Sequence, residues 1–194
     1  RPDAGRLGTA DDGSTGTDAI RVAMIYKPAA VNPVRTAISD GDAIHNRPPL
    51  MQTFAAANGE KFSVVVNHFK SKGSCPSSSS DANADQGDGQ GCWNILRTEQ
   101  AQALRSAVQN LQISSGDNDV IVIGDLNAYG KEDPILNFTD AGYVDQVARF
   151  DIFGYSYVFD GEAGYLDHAL ATPSLSAQIA GAKHWRINAD EPAI

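Results

Sequence analysis

Val120-Ile121-Val122-Ile123-Gly124-Asp125-Leu126-Asn127-Ala128 is the stretch on which the fold turns. Four β-branched residues between Asp119 and Gly124 are too short a run for a helix and too stiff at χ1, so they predict a fully buried strand that delivers Asp125 at its exit. Side chains two apart on an extended chain point the same way, so Asp125 and Asn127 can offer two oxygens to one point. A carboxylate with an amide oxygen is a hard-ligand pair suited to Mg²⁺, Mn²⁺ or Ca²⁺. The same four letters, Asp-Leu-Asn-Ala, also suit a polar turn in which Asp and Asn bond their own backbone.

A second strand is expected over 61–69, with Phe62, Val64 and Val66 on one side and His68 emerging at its end, followed by Lys70 and Lys72. A histidine and two lysines at the mouth of a buried strand can meet a phosphate with one titratable donor and two fixed charges. Ordinary solvated lysines capping a strand are the plainer alternative. A third strand is read over 165–171, with Leu166, His168 and Leu170 on one face and Asp167 with Ala169 on the other. A carboxylate amid apolar residues needs a metal, a cation or strong donors beside it, unless the strand lies at an edge with Asp167 in water.

The remaining chain supports these three. Leu104, Ala107, Val108 and Leu111 at i, i+3, i+4 and i+7 predict a helix over 94–111, stopped by Gly116, and a short helix is expected after Pro134. Alternation over 19–26 predicts a further strand, ended by Pro28, and Asn58-Gly59 a hairpin turn into the 61–69 strand. Residues 1–18, 29–49 and 142–164 read as loop or irregular chain, with His45 a solvated loop residue, and 184–188 as a last strand.

Composition sets limits. The 194 residues are 42% hydrophobic and 20% charged, an ordinary globular balance for one domain or most of one, and no apolar run approaches a membrane span. A net charge of -9 argues against a protein that coats nucleic acid by bulk charge, but not against an enzyme that turns it over at a metal site. Cys75 and Cys92 flank a Ser/Asp/Gly-rich loop without zinc-ligand spacing, so a disulfide and an oxidising compartment are expected. Asp81, Asn83 and Asp85 imitate half of an EF-hand loop, but Gln86 and Cys92 occupy the positions of its glycine and its bidentate glutamate. Only some other structural Ca²⁺ site remains open there.

Helix between strands that end in His68, Asp125 and Asp167 suits an α/β sandwich with its site at one rim, and metal-assisted phosphate-ester hydrolysis suits that chemistry. With these residues in place the chain resembles the endonuclease/exonuclease/phosphatase superfamily, and more narrowly its ExeM-like secreted bacterial nucleases. The resemblance runs from about Gly16 to the end, on Tyr26-Lys27-Pro28, Asn46-Arg47-Pro48-Pro49-Leu50, Asn67 through Gly73, Asp85 through Asn94, Gly124 through Ala128, and Tyr165-Leu166-Asp167-His168. It implies a four-layer α/β/β/α sandwich of the DNase I type. His68, Asp125, Asn127 and Asp167 would be catalytic, Asp125, Asn127 and Asp167 would hold Mg²⁺ or Mn²⁺, and Asn67, Lys70 and Lys72 would bind substrate. His168, on the opposite face, would be structural.

The implied activity is extracellular hydrolysis of nucleic acid, DNA preferred, by a secreted endonuclease. A phosphatase of lipid or sugar phosphates and a non-catalytic secreted binding module are the alternatives. The superfamily's metal-binding Glu strand would precede Arg1 and its closing Ser-Asp-His strand would follow Ile194, so 1–194 is expected to be a partial domain partnered by its remaining segments.

Overall fold

Val64, Val65 and Val66 of one strand lie beside Ile121, Val122 and Ile123 of the next, in parallel, at the centre of a six-stranded sheet. The computed structural model describes residues 20–191. Its strands are β1 (Val31–Ser39), β2 (Leu50–Ala56), β3 (Lys61–His68), β4 (Val120–Asp125), β5 (Val144–Asp145), β6 (Tyr157–Phe159), β7 (Glu162–Gly164) and β8 (Asp167–Ala171). Its helices are α1 (Asn94–Ser115), α2 (Asp133–Thr139), α3 (Gln146–Phe150) and α4 (Pro173–Ser176). The large sheet runs β1-β2-β3-β4-β8-β5, while β6 and β7 form a separate hairpin. Among the described residues only β3 and β4 pair in parallel, and a crossover carrying α1 joins them, as parallel neighbours require.

Alternation decides which face α1 covers. Ala101, Leu104, Val108 and Leu111 form one stripe of α1 and share a buried core with Met51, Val65, Val120, Val122 and Leu170. Each large side chain fully buried there contributes about 1.5–3 kcal/mol. Val64, Val66, Ile121 and Ile123 point to the other face and are half-buried. Gly116 ends α1 in the left-handed region at φ 69°, donating its N–H to Gln112 O, as the stop signal predicts.

The α/β class is as expected. Among the described residues there is one large sheet, where a complete four-layer sandwich has two.

Five local expectations are corrected. Residues 20–26 form no strand, and Ile25 is 98% exposed; residues 1–19, with the start of that expected strand and the 1–18 loop, lie outside the described residues. The segment 29–49 contains β1, which tolerates Pro33 because it is an edge strand and absorbs a register shift between Val34 and Ile38. His45 is buried, not solvated, with Nε2 3.2 Å from Asp40 Oδ2. Residues 142–164 hold β5, α3 and the β6–β7 hairpin, whereas 184–188 is not a strand.

Candidate active site

Pairing register brings the three sequence-selected strand ends together. His68 is the partner of Asp125 across β3 and β4, and Asp125 of Asp167 across β4 and β8. Residues abreast in a sheet share a face, so all three stand on the side away from α1. His68 Nε2 lies 3.4 Å from Asp125 Oδ2.

Backbone constraints fix this geometry. Gly124 has φ 126°, and a Cβ there would sit 2.1 Å from Asn67 O, so only glycine lets β4 approach β3 so closely before Asp125. Asn127 enters the left-handed region at φ 49° and donates its backbone N–H to Asp125 Oδ1 at 2.8 Å. The polar turn and the carboxylate at the strand exit are therefore one arrangement, with Oδ1 holding the turn and Oδ2 facing His68. Asn127 Nδ2 donates to Phe69 O at 3.1 Å, Leu126 N to Leu166 O at 2.9 Å, and Ala128 O lies 2.8 Å from His168 Nε2. His168 is buried on the α1 side beside Asp145, where its other ring nitrogen lies 3.3 Å from Oδ2.

Burial raises the Asp125 carboxyl above the usual carboxylate range. The neighbouring Asp167 pushes the same way, against the Asn127 N–H, His68 and Arg47. Arg47, to which the sequence pattern gives no role, stands close enough to bear on this carboxyl. Its Nη1 donates to Phe69 O at 2.7 Å, and its charge acts on Asp125. Its signal was a cation directly before Pro48-Pro49, a stiff pair that leads into β2.

Not every expected residue joins the rim. Asn67 lies on the opposite face from His68, 3% exposed, with Nδ2 on Val65 O. Strand parity is the reason, since neighbours along β3 alternate faces. Lys70 lies 4.7 Å over the Trp93 ring and donates to Ser71 O and Gly73 O. Lys72 pairs with buried Glu132, donates to Gln90 O and lies 5.0 Å over Tyr129. Behind them Arg97, fully buried in α1, donates to Cys92 O at 2.8 Å, Gln90 O at 3.0 Å and Lys70 O at 3.4 Å. One guanidinium thereby fastens the Cys75–Cys92 disulfide loop to the segment after β3.

Asp125, Asp167 and the Asn127 amide oxygen are hard donors. Two carboxylates abreast, one raised by burial and by the other, suit a divalent cation, and Mg²⁺ takes one or two carboxylates while keeping waters. Among the described residues no group of three or more His, Cys, Asp or Glu side chains is arranged to hold a metal ion. A cavity of about 560 Å³ between β1 and α1, lined by Arg35, Met51, Lys61 and Ser114, shares no residue with the rim.

Fold and rim together define an α/β protein whose polar site is built on adjoining strand ends. The chain belongs to the Endonuclease/Exonuclease/phosphatase family, whose profile matches residues 4–185. Members of this family hydrolyse phosphodiesters or phosphate esters. A comparison with curated proteins found no match in sequence.

Solved structures share the fold at low identity. An endonuclease/exonuclease/phosphatase family protein from Bacteroides thetaiotaomicron is 15% identical, with TM-score 0.54 over 77% of this chain and 54% of that one. Mannosyl-6-phosphatase from the same organism is 15% identical, with TM-score 0.53 over 77% and 55%. The human Nocturnin catalytic domain with bound sulfate is 16% identical, with TM-score 0.51 over 75% and 49%. The chain thus spans about half the length of the structures it matches.

Proposed function

We propose that the chain carries the phosphodiester-cleaving centre of a divalent-metal-dependent nuclease that acts on nucleic acid, DNA before RNA, outside the cell. The observation that carries this reading is the register His68–Asp125–Asp167, three groups abreast on adjoining strands. Asp125 and Asp167, with the Asn127 amide oxygen, hold Mg²⁺ or Mn²⁺, which when bound polarises a phosphoryl oxygen. Asp125 also orients or deprotonates the attacking water, while His68 and Arg47 face the phosphate as donors. Lys70 adds fixed charge for the substrate backbone. The Cys75–Cys92 bond supports an oxidising, extracellular setting.

Uncatalysed phosphate-ester hydrolysis is among the slowest of biological reactions, so a working site is easily told from background. The test is turnover of plasmid DNA, RNA, inositol phosphates and mannose 6-phosphate with Mg²⁺ or Mn²⁺, by wild type and Asp125→Ala. Cleavage of nucleic acid that the substitution abolishes is expected. Turnover of sugar phosphates alone would establish the phosphatase reading instead, and cleavage indifferent to Asp125→Ala would overturn the role given to that carboxylate.

A further inference from the structure

The rim accounts for its carboxylates and cations but not for the aromatic surface beside them. Tyr157 and Phe159 are two apart on β6 and so share a side, with rings 11° from parallel, centroids 6.3 Å apart, and 43% and 65% exposed. Large rings standing in water together mark a contact surface. This hairpin is fastened to the site. Ser156 Oγ accepts the N–H groups of Leu166 and Asp167 at 3.1 and 3.3 Å. Gly164, the partner of Tyr157 in β7, lies so close to Tyr129 that a Cβ there would sit 2.7 Å from its ring.

Cations flank this hairpin. Lys72 lies 5.0 Å over Tyr129, the ring that packs against Gly164, and Arg186 lies 4.2 Å over Tyr155, two residues before Tyr157, while Glu162 is the partner of Phe159. An uncharged apolar partner does not engage the cations that flank these rings. A polyanion that carries π faces does, because its phosphates meet the cations while its bases stack on the rings.

Spacing then selects the form of the polyanion. The 6.3 Å between the two rings is nearly twice the about 3.4 Å rise per nucleotide of a duplex strand, and duplex bases already hide their faces in the stack. Successive bases can each take a ring only where the strand is extended and unpaired. We propose that the β6–β7 hairpin is a base-stacking platform, with Tyr157 and Phe159 taking successive unpaired bases of a single-stranded nucleic acid beside the cleavage rim. This rests on the reading of that rim as a phosphodiester site.

The test is fluorescence anisotropy with the full chain in chelator, so that nothing is cleaved. The probes are a labelled oligothymidylate of about 12 nucleotides, within the usual site size for single strands, and an abasic strand with the same phosphates. Wild type is expected to bind oligothymidylate at least about tenfold more tightly than the abasic strand, and Tyr157→Ala/Phe159→Ala to bind both alike. Tyr157→Trp/Phe159→Trp, which keeps two rings, should keep the discrimination, separating loss of stacking from loss of the hairpin. Equal wild-type binding to both strands, or discrimination that survives in the alanine variant, overturns the platform while leaving the phosphate reading intact. Binding of neither strand overturns the platform too, while the metal-dependent cleavage assay decides the nucleic-acid reading separately.

Discussion

Asp125 and Asp167 are paired residues on neighbouring antiparallel strands, so two carboxylates face the same side of the sheet with His68 beyond the first. Their mutual repulsion adds to burial in holding the Asp125 carboxyl above its ordinary range. A carboxyl raised in the fold favours folding fully below its unfolded value of about 3.9, and that contribution is lost as pH rises through the folded value. Ionised Asp125 is therefore a cost at neutral pH.

Asp125→Asn removes that cost along with the metal-binding charge. With about a third of the side chain open to water, the gain should be on the order of 1 kcal/mol, or about 2–4 °C in Tm at pH 7, and should vanish near pH 3. Hydrolysis should be abolished, and Mg²⁺ should raise the Tm of wild type but not of the variant. Thermal scans at the two pH values, with and without Mg²⁺, check this. A variant less stable than wild type at pH 7 would show that no such strain is stored.

Gly124→Ala tests the close approach of β4 to β3. Its Cβ would lie 2.1 Å from a backbone oxygen at φ 126°, where neither strand can yield cheaply. A cost of about 3 kcal/mol or more is expected, with loss of activity as Asp125 shifts. Gly116→Ala is the control, since it is left-handed too, at φ 69°, but meets nothing within 4 Å, and it should cost only about 1 kcal/mol. Urea unfolding of the two variants separates backbone strain from steric clash.

That centre was legible because two independent signals coincide there. The β-branched run of β4 ends on a glycine, and the alternation of β3 and β8 brings out His68 and Asp167 on one parity. Register across strands is tertiary information, yet parity within each strand was enough to exclude His168 from the rim. It should also have excluded Asn67, next to His68, which lies on the α1 side. Short elements were invisible for a different reason. Strand β5 has two residues and α3 five, held by the Asp145 carboxylate capping Val147 and Ala148, a local bond that periodicity does not register. Conversely, the alternation over 20–26 sets out a face, whereas a strand is made by ladder hydrogen bonds, and the segment is not one.

Reduction of the Cys75–Cys92 bond should lower stability by about 3 kcal/mol, the chain-entropy value for a sequence separation of 17. The effect should reach the rim, because Arg97 joins the loop's Cys92 and Gln90 carbonyls to that of Lys70. Denaturant midpoints with and without reductant measure the first expectation. Hydrogen exchange at Lys70 through Gly73 measures the second, and unchanged protection there would disconnect the loop from the site.

Lys70 and Lys72 look equivalent in the sequence and are not equivalent in the fold. Lys72 compensates Glu132, which is 6% exposed and whose carboxyl is raised by burial despite the bond and charge of that lysine. Lys72→Ala leaves a buried carboxylate without its cation and should cost about 3 kcal/mol, the lower end for a broken buried pair because Lys72 itself is partly solvated. Without the lysine the carboxyl rises further, so ionising it becomes harder, and the loss should be larger at pH 8 than at pH 4. Glu132→Gln in the same chain should restore most of the stability without restoring the cation. Lys70→Ala should cost under about 1 kcal/mol of stability, yet weaken nucleic-acid binding and reduce its salt slope by about one. Denaturant titrations at the two pH values and binding across a salt series separate the two lysines. Equal stability losses for Lys70→Ala and Lys72→Ala, or no recovery with Glu132→Gln, would refute the division of labour.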